Sequence, residues 1–171
     1  MNWKYTGRKR PEFAQEPGPG EESVWDYPRP PGVELDSRRI EVYAEDEKIA
    51  DTSRAYRVLE TASPPTFYLP PQDVKRDLLI ALPNRTYCEW KGEASYWALA
   101  SDRDKKPVGW TYPEPSGAYN VISGYFSFYP SILACFVGGQ RVRPQPGRFY
   151  GGWLTDEIVG PFKGEPGTSG W

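Results

Sequence analysis

The chain has 171 residues, which points to one domain, and a hydrophobic share of only 38% is offset by 7 Trp, 12 Tyr and 7 Phe able to fill a core. With 21 basic against 23 acidic residues the formal net charge is −2, so no basic surplus is available for nucleic acid or an anionic membrane surface. Histidine is absent, which excludes Ser-His-Asp and Cys-His catalysis, His-ligated zinc and the usual general base near neutral pH.

Residues 1–37 contain Pro17-Gly18-Pro19-Gly20 and Pro28-Arg29-Pro30-Pro31-Gly32, so no regular helix runs through them. They are expected to form an extended N-terminal arm in which Trp25 and Tyr27 pack on the body. The core, 38–143, opens with apolar and polar residues alternating from Arg39 to Ala44, with Ile40, Val42 and Ala44 on one face, the pattern of a strand. An acidic turn, Glu45-Asp46-Glu47, leads to a second strand over 48–52 that closes a hairpin. Residues 54–61 fit either a strand or a helix capped by Ser53, and strand is preferred. Pro70-Pro71 opens a helix predicted over 72–80, with Asp73 near its positive end and Val74 and Leu78 on one face.

Beyond it, strands are predicted over 86–90, 94–100, 108–112, 126–129 and 132–137. Gly138-Gly139 then forms a two-residue turn into 141–143. Residues 144–171 return to Gly and Pro and form a C-terminal arm that packs on the core through Trp153, Phe162 and Trp171. There is no internal repeat. No apolar run reaches the roughly 18–20 residues of a bilayer span, and Asn2, Trp3 and Lys4 follow Met1 where a signal segment would be apolar. The expectation is a cytoplasmic protein. Cys88 and Cys135 are expected as free thiols, and two sulfur ligands without histidine predict no metal site.

Several side chains stand out for their chemistry. Cys88 and Lys91 are three apart at a strand-to-turn junction, where an ammonium favours a thiolate; the plainer alternative is a buried thiol beside a solvated lysine. Lys91, next to Gly92, also suits an anionic ligand at a hairpin tip. Tyr96, Trp110 and Tyr112, with Tyr68, either wall a pocket for a planar ring or form core. Glu60 and Asp73 flank the Tyr68 segment and are the candidate acids, since desolvation in an aromatic pocket raises a carboxyl pKa. Their alternatives are a salt bridge and a helix-terminal charge. Arg39 suits bidentate contact with a phosphate or carboxylate, or else a sheet-edge charge.

Five motifs occur in order: Pro64-Pro65-Thr66-Phe67-Tyr68, Pro71-x-Asp73-Val74, Cys88-Glu89-Trp90-Lys91-Gly92-x-Ala94-x-Tyr96-Trp97, Trp110-x-Tyr112-Pro113 and Phe128-Tyr129-Pro130. Together they resemble the bacterial domain of unknown function 427 over roughly residues 36–142. The flanks, Val24-Trp25-Asp26-Tyr27-Pro28 and Gln145-Pro146-Gly147-x-Phe149-Tyr150-Gly151-Gly152-Trp153, look like its cyanobacterial branch. The resemblance implies a small, mostly β domain with N- and C-terminal extensions, and a nucleotidyltransferase-like activity. Two positions depart from the pattern it implies: Ser63 stands where a histidine is expected, and Gln140 where a glutamate is expected. For metal-assisted nucleotidyl transfer the only close acid spacing in a polar turn is Asp102-x-Asp104, and no Gly-rich phosphate loop precedes a helix.

The expected fold is mainly β: two packed antiparallel sheets or an open barrel, one short helix and long irregular terminal arms. The leading expected function is a cytoplasmic small-molecule binding domain, for a nucleotide-like or anionic metabolite, requiring no cofactor. Arg39, Tyr68, Lys91, Tyr96, Trp110 and Tyr112 are its expected ligand contacts. The first alternative is a metabolite-processing enzyme using Glu60, Asp73, Cys88 and Lys91. The second is an assembly module whose arms exchange with another subunit, giving a homo-oligomer, or dock on a protein partner.

Overall fold

Prolines and glycines cut this chain into short pieces, and alternation of apolar residues makes most of those pieces strands. The computed structural model describes residues 2–147 and 149–171. In chain order its strands are β1 (Glu22–Ser23), β2 (Gly32–Asp36), β3 (Ile40–Ala44), β4 (Glu47–Thr52), β5 (Ala55–Leu59), β6 (Thr66–Tyr68), β7 (Leu79–Cys88) and β8 (Gly92–Leu99). There follow β9 (Pro107–Thr111), β10 (Phe126–Phe128), β11 (Ala134–Val137), β12 (Gln140–Arg141), β13 (Arg143–Pro144), β14 (Trp153–Leu154) and β15 (Ile158–Val159).

The fold is mainly β. Two antiparallel sheets have the orders β12-β11-β3-β4 and β10-β9-β8-β7, and β2-β5-β6 makes a third. Leu69 and Phe126 exchange main-chain hydrogen bonds of 2.7 and 2.9 Å, so the β2-β5-β6 sheet runs on into β10. The sheets do not close into a barrel. A parallel pair, β1 with β15, and the β13-β14 pair tie the terminal segments to each other and to the body. No helix among the described residues is long and apolar enough to cross a membrane.

The segment expected as a helix over 72–80 is two short 3-10 turns, Pro71–Asp73 and Arg76–Leu78, and Leu79 already begins β7. Between the turns Val74 is extended, bridges Ala50 and is buried. Burying Val74 against β4 therefore overrides the i,i+4 spacing that suggested a helix. The strand expected from Thr86 reaches back to Leu79 through an irregularity between Ala81 and Arg85. β2 lies inside the segment expected as irregular arm and pairs along its whole length with β5.

The core lies between the layers. Ile40 and Val42 from β3 and Cys135 and Val137 from β11 face Phe67, Val108, Phe126 and Phe128. Trp153 anchors the C-terminal segment there: it is fully buried, stacks on Phe67 at 4.9 Å and donates Nε1–H to the Phe128 carbonyl at 2.9 Å. Strand alternation sends neighbouring residues the other way. Phe67 joins this core while Tyr68 joins a second cluster with Trp110, Tyr112 and Ala94; Trp97 and Tyr96 divide likewise. A third cluster, around Val24, Trp25 and Ile158, joins the two terminal segments, with Trp171 stacked on Phe13 at 5.0 Å.

Candidate functional site

The second face, the one carrying Tyr68, Tyr96 and Trp110, opens into a cavity of about 710 Å³. Register explains the aromatic wall. Tyr96 of β8 lies directly opposite Trp110 of β9, and two residues on, Tyr112 continues that face. Trp110 donates Nε1–H to the Tyr68 hydroxyl at 3.2 Å, and its ring lies 4.7 Å from that of Tyr129. The Tyr96 hydroxyl pairs with Thr86 Oγ1 at 2.6 Å. Burial pushes the phenol pKa values of Tyr68, Tyr112 and Tyr129 above the ordinary tyrosine value, so this wall is neutral.

Polar groups enter from the rim. Cys88 ends β7 and Lys91 precedes β8; both line the cavity, as does Glu60. Lys91 is only 9% exposed, with its ammonium 5.5 Å from the centre of the Tyr112 ring. Burial works against its charge, whereas Tyr68 and Cys88, where they are ionised, and the Glu60 carboxylate favour it, and the net shift of the Lys91 pKa is upward. Glu60 accepts from Arg29 Nε at 3.1 Å. Arg29, buried, also donates to the main-chain oxygens of Tyr5, Thr61 and Trp171, which pins both terminal segments beside Glu60.

Those segments complete the cavity. Trp3 lines it from the N-terminal side, and Gln145, Tyr150, Gly151, Gly152 and Lys163 line it from the C-terminal side. A Cβ on Gly151 would collide with the Trp110 ring, and one on Gly152 with Gln145 Oε1, so the glycine pair lets this segment lie directly on the wall. Ser63, where the family pattern implies histidine, also lines the cavity and accepts from Gln145 Nε2 at 3.4 Å.

Of the residues singled out in the sequence, Glu60, Tyr68, Cys88 and Lys91 meet here with Tyr96, Trp110 and Tyr112. Arg39 and Asp73 do not. Arg39 is exposed and pairs with Asp51 at 2.7 Å; Asp73 is held by Arg54 at 2.9 Å and by the Thr52 hydroxyl at 2.7 Å. Arg54 and Thr52 hold the Asp73 pKa below the usual carboxylate range. The Asp102-x-Asp104 spacing serves its turn: the Asp102 carboxylate accepts from the main chain of Asp104 and Lys106. Gln140 accepts from the main chain of Asp156, away from the cavity lining. Sequence reasoning missed Trp3, Gln145, Tyr150 and Lys163 as cavity residues. The only signal for them is indirect, namely aromatic residues and a Gly-Gly pair in segments otherwise fit for solvent.

Residues 32–139 match the model of a family described as a domain of unknown function, DUF427 (NTP_transf_9). The match spans more than half of the chain, and the protein belongs to that family. No curated protein matches it.

Proposed function

We propose that this protein binds a small molecule with a planar ring in the aromatic cavity. Tyr68, Tyr96, Trp110 and Tyr112 take the ring, and Lys91 and Glu60 meet its polar ends. One observation carries this: residues distant in sequence converge on one cavity of about 710 Å³, within the roughly 300–1,000 Å³ typical of small-molecule sites. A neutral aromatic wall stacks on a ring without demanding a particular charge, while the buried Lys91 ammonium gives direction. A catalytic alternative that employs Asp73 has less support, because Arg54 and Thr52 already occupy that carboxylate. The terminal segments serve as walls of the site, through hydrogen bonds such as Lys163 N–H to the Ala62 carbonyl at 2.8 Å.

The test is calorimetric titration with a neutral planar probe, 1-naphthol. Saturable binding is expected in the wild type and in Arg39→Gln, and a loss of at least tenfold in affinity in Trp110→Leu. Identical titrations of wild type and Trp110→Leu, or no binding at all, would overturn the proposal.

A further inference from the structure

The cavity is apolar at its mouth. Of the large apolar side chains left exposed among the described residues, Phe13, Leu35, Ile80 and Val121 lie outside the cavity lining, whereas Tyr87, Ile132 and Phe149 belong to it. Those last three are 78%, 52% and 82% exposed. A residue that lines a cavity and still keeps half or more of its surface in solvent stands at the opening. Lys91 lines the same cavity but is buried, so its ammonium lies at depth.

The mouth residues come from separate parts of the chain. Tyr87 is the penultimate residue of β7, Ile132 lies in the turn between β10 and β11, and Phe149 lies between β13 and β14, edge-on to Tyr150 at 5.0 Å. Single exposed apolar residues are ordinary, but several gathered around one opening mark a binding surface. The volume of about 710 Å³ lies in the upper half of the roughly 300–1,000 Å³ of small-molecule sites, which leaves room beyond a single ring.

Resting on the cavity as the binding site, we propose that its ligand is amphipathic: a planar ring whose polar end enters toward Lys91 and whose apolar chain leaves between Tyr87, Ile132 and Phe149. A bare ring stacked on Tyr96 and Trp110 would leave the mouth side chains in water, and a polar tail would gain nothing from them. A hydrocarbon chain removes apolar surface from water on both partners. The chain of the same ligand is favoured over a second copy of the protein as the occupant, because the exposed apolar surface at the mouth is continuous with the aromatic wall and the other exposed apolar residues do not extend it.

Calorimetry on the full chain with two neutral probes, methyl and butyl 4-hydroxybenzoate, reads the chain-length effect directly. A fully buried CH2 contributes about 0.8 kcal/mol, or about fourfold in affinity, and less at an open mouth, so the three added carbons should tighten binding roughly tenfold. The double variant Tyr87→Ser with Phe149→Ser, at two exposed positions, should bring that ratio to within about twofold of unity, whereas Leu35→Ser, exposed but outside the cavity, should retain it. Equal binding of the two esters by the wild type overturns the amphipathic ligand and leaves the cavity proposal standing. A ratio that survives the double variant also overturns it, by placing the chain inside the cavity. So does a wild-type dimer, seen by light scattering, that the double variant dissociates, since the mouth then covers a second copy. If neither ester binds, saturable binding of 1-naphthol confines the failure to the amphipathic ligand, and its absence overturns the cavity proposal as well.

Discussion

The two faces of the sheet that runs from β6 through β10 to β8 are both aromatic, yet they are built differently. The inner face uses Phe67, Trp97, Phe126 and Phe128 with Trp153, packed against the second sheet. Its indole N–H groups are satisfied internally, Trp97 by the Thr111 hydroxyl at 3.1 Å and Trp153 by the Phe128 carbonyl. The outer face replaces phenylalanine with tyrosine, at Tyr68, Tyr96, Tyr112 and Tyr129, and opens into the cavity. A tyrosine offers the same flat surface plus a hydroxyl, so a wall of them stacks like a core and still directs polar groups. Under the proposed function stability falls to one face and recognition to the other, and a single step along β6, from Phe67 to Tyr68, crosses between them.

The sharpest way to break this comparison is a matched pair of substitutions. Trp153→Ala removes a fully buried indole and its hydrogen bond, and should cost about 3–5 kcal/mol of stability. Tyr112→Phe keeps the ring volume on the outer face and should cost less than about 1.5 kcal/mol while weakening ligand binding. Urea denaturation reads both effects. Were Tyr112→Phe to lower the midpoint as far as Trp153→Ala, the outer face would be core and the cavity a packing defect.

The same comparison explains what is legible in the sequence. Alternation of Ile40 with Val42 and of Tyr96 with Trp97 is a local property, so the β3–β4 and β7–β9 hairpins can be read directly, as can the opposition of Tyr96 to Trp97. The motif around Cys88, Lys91 and Tyr96 likewise leads to one wall of the cavity. The rest depends on contacts between distant parts of the chain. Nothing near Gly32–Asp36 shows that this stretch will pair with β5, and nothing near Val74 shows that bridging Ala50 will outweigh a helix. Trp3 and Lys163 are separated by almost the whole chain, and their meeting depends on Arg29, which donates to main-chain oxygens that no sequence pattern marks.

A smaller effect separates the two buried lysines. The Lys163 pKa is lowered, by burial and then by Arg29, so the folded protein holds that proton less firmly than the unfolded chain. Its charge therefore costs stability at every pH below the folded-state pKa, and the cost fades as pH rises from there to the ordinary lysine value. The Lys91 pKa is raised, so the sign reverses: its contribution is full below the ordinary lysine value and is lost as pH climbs through the folded-state pKa. In the ligand-free protein at about pH 7, Lys163→Met should raise the urea midpoint, with the gain shrinking at alkaline pH, and Lys91→Met should lower it. A fall in both variants would place Lys163 among the groups that hold the fold together, through its hydrogen bond to Trp171.

The smallest perturbation, a single added group on sulfur, sharpens the distinction between the faces without moving the fold. Cys135 is in the inner core with no exposed surface, and burial pushes its thiol pKa up. Cys88 is partly exposed and lines the cavity. Thiolate is the reactive form and access limits alkylation, so iodoacetamide should modify Cys88 in the native protein and Cys135 only after unfolding. Mass spectrometry of intact protein at successive times counts the adducts. A probe bound in the cavity should slow the first modification and leave the second unchanged, because Cys88 lines the proposed site and Cys135 does not. If both thiols react at one rate in the native state, the inner face opens as readily as the outer, and assigning stability to one and recognition to the other fails.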